Sequence, residues 1–192
     1  VGHVELYLAH DFDPHTPLTE SFAAFEQART AGLIGGYGVS NFNAAQLTAA
    51  LATGRPQVIQ NSYSLLDHGD KADVIPLCAE RGVVYLAFGP LAGGWLTGKY
   101  RRGEPYPAGS RMAQRPGPYQ EFVSGPTFGT LDRLAEVAAG RGISMAALAL
   151  AWLLADPRVS QIVIGPARPG HLEVLTEALA HPLTPAETDQ MP

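Results

Sequence analysis

The segment Gly38-Val-Ser-Asn-Phe42 joins the end of an apolar run to two short polar side chains. Ser40 and Asn41 stand where a β-strand of this length would end. In parallel α/β sheets and barrels, functional side chains collect at the carboxyl ends of the strands. The segment therefore predicts a parallel strand that opens onto a binding surface.

A second segment, Val84-Tyr-Leu-Ala-Phe-Gly-Pro-Leu-Ala-Gly-Gly-Trp-Leu-Thr-Gly-Lys-Tyr100, has the same character on a larger scale. An apolar run is followed by a glycine-rich turn and then by a lysine. Glycines let backbone amides approach an anion closely, and a lysine adds positive charge. This pattern is typical of a phosphate-binding turn, although a glycine-rich turn is also common as a turn alone.

Short apolar runs alternate with longer amphipathic stretches along most of the chain. That alternation predicts βαβ units and a parallel sheet, with class α/β. We expect one domain over residues 1–192. The predicted strands are residues 4–9, 35–39, 57–60, 83–87 and 161–164.

The first predicted helix has Thr16 as N-cap and Pro17 as its first residue, and it ends at Gly32. The second follows Asn43 and ends at Gly54. The remaining predicted helices are residues 71–81, 127–139 and 144–154, the last of them buried because it is apolar on most sides. Residues 101–125 are rich in Pro, Gly, Arg and Tyr and are predicted to form a long loop.

The composition is that of a globular protein, with 46% hydrophobic residues and a net charge of −5. The 13 Lys and Arg residues are scattered, which argues against nucleic acid as a partner. No apolar stretch approaches the length of a membrane helix, and we expect a cytoplasmic protein. The single cysteine, Cys78, is expected to be a buried hydrophobic residue, and no Cys/His cluster suggests a metal site.

In order along the chain, several segments resemble the aldo-keto reductases. They are Val4-Glu-Leu-Tyr-Leu-Ala-His10, Thr16-Pro-Leu18, the Gly38–Phe42 segment, Gln60-Asn-Ser-Tyr-Ser-Leu65, the glycine-rich turn, Gly165-Pro-Ala-Arg-Pro-Gly-His-Leu172 and Leu183-Thr-Pro-Ala-Glu187. The resemblance implies a (β/α)8 TIM barrel. Such a barrel typically takes about 250 residues, and this chain has 192. We therefore expect only about the last five βα units, from the fourth barrel strand onward.

The resemblance also implies roles for the residues at the strand ends. His10 would orient the substrate carbonyl as the catalytic residue contributed by this chain. Ser40, Asn41 and Gln60 would hold the carboxamide of a nicotinamide ring. For Ser40 and Asn41 the alternative is an ordinary N-cap of the following helix, and for Gln60 it is a satisfied buried amide.

Further residues would contact the remainder of the cofactor. Phe88 would stack on the nicotinamide face, the backbone of Gly89, Leu91, Gly93 and Gly94 would approach the pyrophosphate, and Lys99 would supply positive charge. Arg168 would bind the adenosine 2′-phosphate and so favour NADP over NAD. His171 would replace a glutamine that contacts adenine in relatives, whose following Glu-Asn pair is absent here.

The implied activity is reduction of small aldehydes or ketones by NADPH, without a metal. No residues here match the family's catalytic Asp, Tyr and Lys, so we expect this chain by itself to reduce nothing appreciably. One alternative is a noncatalytic NADP-binding or interaction subunit, similar to potassium-channel β-subunits. Another is a half-barrel that dimerises through its open sheet edges. The oligomeric state is left open.

Overall fold

The computed structural model of the chain describes residues 2–191. Its strands are β1 (Val4–Ala9), β2 (Ile34–Ser40), β3 (Val58–Ser62), β4 (Val84–Phe88) and β5 (Val159–Val163). Its helices are α1 (Leu18–Thr30), α2 (Ala44–Thr53), α3 (Val74–Arg81), α4 (Arg111–Gln114), α5 (Gly125–Gly140), α6 (Met145–Ala155), α7 (Glu173–Ala180) and α8 (Pro185–Asp189). Short 3₁₀ helices cover Gly69–Lys71, Ala92–Thr97, Gly117–Phe122 and Pro169–Leu172.

The five strands form one sheet in the order β1-β2-β3-β4-β5, which is also their order in the sequence. The first three pairs are parallel, with Leu8 beside Gly38, Ser40 beside Gln60, and Ser62 beside Phe88. Parallel neighbours in sequence order require a crossover between them, and helices supply it after β1, β2 and β3. The predicted α/β class, with a sheet consistent with about five units of a (β/α)8 barrel, is confirmed.

The two faces of the sheet differ because side chains alternate along each strand. Tyr37 and Ile59 lie on one face, where Tyr37 stacks on Phe22 of α1 at 5.5 Å between ring centroids. Residues of that face in the central strands are buried under helices, whereas Leu6 and Val84, on the other face by register, are 38% and 39% exposed. Ser40, the last residue of β2, and Gln60, in the middle of β3, belong to this second face.

Gly38 is required where β1, β2 and β3 approach one another. A Cβ at this position would collide with the carbonyl oxygen of Val58 and lie 2.7 Å from Cδ2 of Leu8. A glycine in a strand interior often marks such a close approach. The strand that carries Ser40 can therefore pack between its neighbours only without a side chain at residue 38.

The contacts divide the chain into two compact units, each built from separate segments. The first contains residues 1–62, 69–88 and 158–161, and its core includes Tyr37, Leu47, Ile59, Ile75 and Tyr85. The second contains residues 63–68, 89–157 and 162–192, with α6 buried along most of its length. A single domain over residues 1–192 stays a prediction.

Two local predictions are wrong, and one helix starts later than predicted. Thr16 does not cap α1: its hydroxyl donates to Asp13 at 2.7 Å, and Pro17, whose ψ of 135° is not helical, takes the N-cap position. The helix predicted from about residue 71 to residue 81 is confirmed with its start at Val74, where Asp73 is the N-cap and accepts a hydrogen bond from the Val74 backbone amide. The segment predicted as a loop, residues 101–125, contains α4 and a 3₁₀ helix, and Ser110 caps α4.

The other predicted helices are confirmed within a few residues. Asn43 caps α2 in a reciprocal capping box with Gln46, and Gly54 ends that helix. Among residues 2–191, no single helix is long and apolar enough to cross a membrane. Only α5 and α6 taken together, bent by 90° between them, have that length and composition.

Candidate functional site

Hydrogen bonds join the carboxyl ends of β1 and β2 to each other and to the middle of β3. The Asn41 side chain donates from Nδ2 to the carbonyl oxygen of His10 at 2.8 Å. The Ser40 hydroxyl donates to the carbonyl oxygen of Gln60 at 2.6 Å, and the backbone amide of Asn41 donates to the same oxygen at 3.2 Å. The structure therefore brings together four of the residues predicted from the sequence.

The backbone at Asn41 has a φ of 59°, in the left-handed region. Asparagine tolerates this conformation better than most residues, because its short polar side chain can hydrogen-bond locally. The capping role considered for Ser40 and Asn41 belongs to Asn43. The polar pair is thus not used to cap α2: Ser40 is buried and bonded to β3, and Asn41 is exposed beside His10.

Gln60 and Phe88 share the face of Ser40 by register. Gln60 lies between Ser40 and Leu86, and Phe88 is two residues beyond Leu86 in β4. Both side chains are half-buried, and the imidazole of His10 is exposed immediately after β1. This edge of the first unit offers an amide, a hydroxyl, a second amide, an imidazole and an aromatic ring.

In the second unit, the glycine-rich turn contains several residues in the left-handed region. Gly89, Gly93 and Gly94 have φ values of 66°, 64° and 97°, and Ala92 has a φ of 46°. Leu91 precedes the 3₁₀ helix Ala92–Thr97 as its N-cap. Glycine is the ordinary residue for such a turn, so the turn's conformation accounts for these glycines whether or not it binds a phosphate.

Two side chains pack directly on the glycines of this turn. The ammonium group of Lys99 lies against Gly94, at the place a Cβ would occupy, and 5.2 Å from the centre of the Tyr100 ring. The Tyr119 ring is 2.6 Å from the corresponding position at Gly93. Lys99 therefore lies beside the turn, and its role toward a pyrophosphate stays a prediction.

Arg168 and His171 lie at the beginning of the segment that leads into α7. Arg168 is the N-cap of the 3₁₀ helix Pro169–Leu172, and its side chain is exposed. His171 accepts a hydrogen bond at Nδ1 from the Ala167 amide at 3.2 Å. The position of Arg168 at a helix start, predicted from the sequence, is confirmed, while its role toward a phosphate stays a prediction.

Asn61, Asp70 and Tyr85 form a hydrogen-bonded group that the sequence analysis did not identify. The Asn61 amide donates to Asp70 at 2.7 Å and to the Phe42 carbonyl oxygen at 2.9 Å. The Tyr85 hydroxyl donates to the same Asp70 oxygen at 2.8 Å. The sequence feature that could have indicated this group is Asn61 itself, an asparagine on the helix-facing side of a strand that is otherwise apolar on that side.

The donors and acceptors at the first unit's edge suit a nicotinamide carboxamide. The hydroxyl hydrogen of Ser40 is committed to Gln60, so Ser40 can only accept a hydrogen bond from a ligand. The second hydrogen on Nδ2 of Asn41 remains to donate. Among residues 2–191, no group of three or more His, Cys, Asp and Glu side chains is placed to hold a metal.

The sequence is similar to several oxidoreductases and to channel subunits. It is 34% identical over 187 residues to the L-glyceraldehyde 3-phosphate reductase of Escherichia coli K12, covering 92% of this chain and 54% of that protein. It is 26% identical over 194 residues to the NADH-specific methylglyoxal reductase of the same organism, covering 100% and 59%. It is also 29% identical over 190 residues to a probable voltage-gated potassium channel subunit beta of rice, Oryza sativa subsp. japonica, covering 93% and 57%.

The fold agrees with a solved member of the same group. The glycerol dehydrogenase from Gluconobacter oxydans superposes with a TM-score of 0.82 at 27% identity, covering 100% of this chain and 58% of that structure. The chain thus spans between half and two thirds of the length of these relatives. The family description "Aldo/keto reductase family" matches residues 1–192. This chain belongs to the aldo/keto reductase family.

Proposed function

We propose that this chain supplies the nicotinamide-binding edge of an NADP(H)-dependent oxidoreductase that interconverts small aldehydes or ketones and alcohols. The observation that carries the proposal is the hydrogen-bonded junction of His10, Ser40, Asn41 and Gln60 on three neighbouring strands. Family membership supports oxidoreductase chemistry in general. Our proposal goes beyond family membership in naming NADP(H) as the cofactor and small aldehydes or ketones as the substrates.

Three residues of the junction, and Phe88 beside it, have roles that the geometry supports. Ser40 accepts from the carboxamide nitrogen of the ring, and Asn41 donates to the carboxamide oxygen. Phe88, at the end of the neighbouring strand, covers one face of the ring, which leaves the other face for the substrate. The His10 imidazole donates to the substrate carbonyl oxygen and orients it.

When bound, NADPH supplies the hydride that reduces the carbonyl carbon. The chain's own contribution is to hold the ring in one orientation and to place the carbonyl beside it. The resemblance assigns protonation of the alkoxide to a tyrosine that has no match in this sequence. We therefore expect the 192-residue chain to bind the nucleotide without measurable turnover.

The choice of NADP over NAD rests on Arg168. Its side chain is exposed at the start of the segment leading into α7, where a guanidinium can pair with a phosphate in bidentate fashion. A relative named as NADH-specific shows that the family is not uniform in this choice. Removing Arg168 should therefore reduce the preference and leave NADH binding unchanged.

A noncatalytic nucleotide-binding subunit is the second candidate. It is favoured by the similarity to probable potassium channel β-subunits. Such a subunit would keep the nicotinamide contacts while dispensing with turnover. The two candidates share the nucleotide site and differ in whether carbonyl substrates are reduced.

Titration calorimetry with NADPH and NADH, followed by a spectrophotometric assay with a panel of aldehydes and ketones, tests the proposal. We expect NADPH to bind more tightly than NADH, Arg168→Ala to remove most of the difference, and Arg141→Ala to leave it unchanged as a control. Failure of the wild-type chain to bind either nucleotide would contradict the proposal. Binding with turnover would contradict only the expectation that this chain is inactive alone.

A further inference from the structure

Asn61 directly follows Gln60 in β3, so its side chain points to the opposite face of the sheet. Its register partner in β4 is Ala87, which is fully buried, and Asn61 itself is only 6% exposed. Burying an amide costs free energy unless the amide is hydrogen-bonded. The partners of Asn61 should therefore indicate what it does.

Nδ2 of Asn61 donates one hydrogen bond to the Phe42 carbonyl oxygen and one to Oδ2 of Asp70, at 2.9 Å and 2.7 Å. A carbonyl and a carboxylate both accept, so together they fix which end of the amide faces them. Tyr85 donates to the same Asp70 oxygen from the neighbouring strand. Asn61 thus connects Asp70 and Tyr85 to the backbone of the Gly38–Phe42 segment.

The segment needs such a connection because Asn41, one residue before Phe42, has a left-handed φ of 59°. Strained backbone conformations persist only where surrounding contacts hold them. Asn61 holds the carbonyl group of Phe42, and the buried Phe42 ring packs edge-on against Phe12 at 5.4 Å. The turn that carries Ser40 and Asn41 is therefore held at Phe42, both through the backbone carbonyl and through the aromatic ring.

We propose that Asn61 is a positioning residue for the nicotinamide site: it fixes the Ser40–Phe42 turn through the Phe42 carbonyl, and Asp70 and Tyr85 anchor it. The inference rests on the proposed function, since it assigns to Asn61 the geometry of that site. Asn61 does not itself face the ligand. Its effect on binding should therefore be confined to the nicotinamide half of the nucleotide.

The test compares NADP⁺ with adenosine 2′,5′-bisphosphate, which lacks the nicotinamide, in titrations of the 192-residue chain. Asn61→Asp keeps the side-chain volume but turns an acceptor toward the Phe42 carbonyl and toward Asp70. We expect NADP⁺ affinity to fall about tenfold or more, the equivalent of one or two lost contacts. Affinity for the bisphosphate should stay within about twofold.

A double variant separates positioning from stability. In Asn61→Asp with Asp70→Asn, the hydrogen bond between residues 61 and 70 is restored with reversed polarity. The Tyr85 hydroxyl, which donates to the same Asp70 oxygen in the wild type, then accepts the second hydrogen on Nδ2 of residue 70. The Phe42 carbonyl still faces an oxygen. We expect the thermal midpoint to recover toward the wild type while NADP⁺ affinity remains low. Asp70→Asn alone can still accept from Asn61 and Tyr85 through its amide oxygen and leaves the bond to Phe42 intact, so NADP⁺ affinity should fall less than in Asn61→Asp.

Three outcomes would overturn the inference: equal weakening of both ligands by Asn61→Asp, no weakening of either, or recovery of NADP⁺ affinity together with stability in the double variant. Because the double variant repairs the anchor, it remains informative if Asn61→Asp alone does not fold. Absence of NADP⁺ binding by the wild-type chain would overturn the proposed function, and this inference with it. The same consequence would follow if the wild-type chain bound NADP⁺ no more tightly than adenosine 2′,5′-bisphosphate.

Discussion

Ser40 and Gln60 are joined across β2 and β3 by a hydrogen bond of 2.6 Å from the Ser40 hydroxyl to the Gln60 carbonyl oxygen. That oxygen also accepts a hydrogen bond from the backbone amide of Asn41, so both of its lone pairs are used. Ser40 is 4% exposed and its only hydroxyl hydrogen is committed. A ligand that reaches Ser40 must therefore bring a donor, as the amino group of a carboxamide does.

Ser40→Ala should weaken NADP⁺ binding about fivefold through loss of one acceptor. Nicotinic acid adenine dinucleotide phosphate, which has a carboxylate in place of the carboxamide, should bind the wild type more weakly and lose nothing further in the variant. Stability should fall by only about 1 kcal/mol, since the Gln60 carbonyl keeps one partner. Equal losses for both nucleotides, measured by titration, would contradict this role.

Gly38→Ala should destabilise the fold. The added methyl would meet the Val58 carbonyl oxygen and Cδ2 of Leu8, and overpacking of this kind costs about 1–3 kcal/mol. Gly140→Ala is the matched control: nothing lies within 4 Å of its Cβ position, and alanine favours a helix. Urea unfolding of both variants checks this. A Gly38→Ala protein as stable as the wild type would show that the strands can separate to admit the methyl group.

Cys78 should resist thiol reagents in the folded protein. Burial, with the nearby charge of Asp70, raises its pKa from an ordinary 9.0 to about 12, so almost no thiolate exists at pH 8. The rate of reaction with Ellman's reagent should rise by a factor of about a thousand or more on unfolding. Fast labelling of the native chain would contradict the burial of this side chain.

The same shift in Cys78 gives a pH dependence of stability. A raised folded-state pKa favours the protonated thiol, so its contribution is full below pH 9.0 and is lost as the pH rises toward about 12. Cys78→Ala should remove this part of the alkaline loss. Comparing the free energies of unfolding of the two proteins at pH 8 and pH 10 measures it. Identical alkaline slopes would contradict the shift.

Glu177 in α7 accepts hydrogen bonds from the side chain and the backbone amide of Ser144, at 2.6 Å and 2.8 Å. These bonds lower the pKa of its carboxyl group from 4.5. The stability they provide should therefore be full above pH 4.5 and be lost as the pH falls below it. Glu177→Gln should lower the urea midpoint at pH 7 and differ less from the wild type at pH 4. A difference that does not change with pH would contradict this linkage.

Local signals predicted much of this structure. Short apolar runs between amphipathic stretches predicted all five strands. Asn43 and Gly54 marked the two ends of α2, because capping depends on neighbours in the sequence. The helices within residues 101–125 were not predicted. Their region is organised by distant contacts, such as the Tyr100 hydroxyl, which donates to the Gly93 carbonyl and accepts from the Met112 amide.

In the candidate site, too, local sequence signals predicted some residues, whereas residues that depend on distant contacts were missed. Ser40, Asn41 and Gln60 were predicted because each follows a short apolar run in the sequence, and their role toward a nicotinamide ring stays a prediction. Asn61 was not predicted, because only the fold brings its side chain to Asp70 and to the Phe42 carbonyl. Thr16 has the residue type of an N-cap, but Asp13 attracts its hydroxyl instead. Residue type suggested a capping role there that the local geometry did not allow.

The proposed function requires that the junction of β1, β2 and β3 holds the nicotinamide ring. The most direct test follows the side-chain amide signals of Asn41 and Gln60 by ¹H–¹⁵N NMR while NADP⁺ or adenosine 2′,5′-bisphosphate is added to the chain. We predict that both signals shift with NADP⁺ and stay in place with the bisphosphate. Binding of NADP⁺ that leaves both signals unmoved would contradict the account.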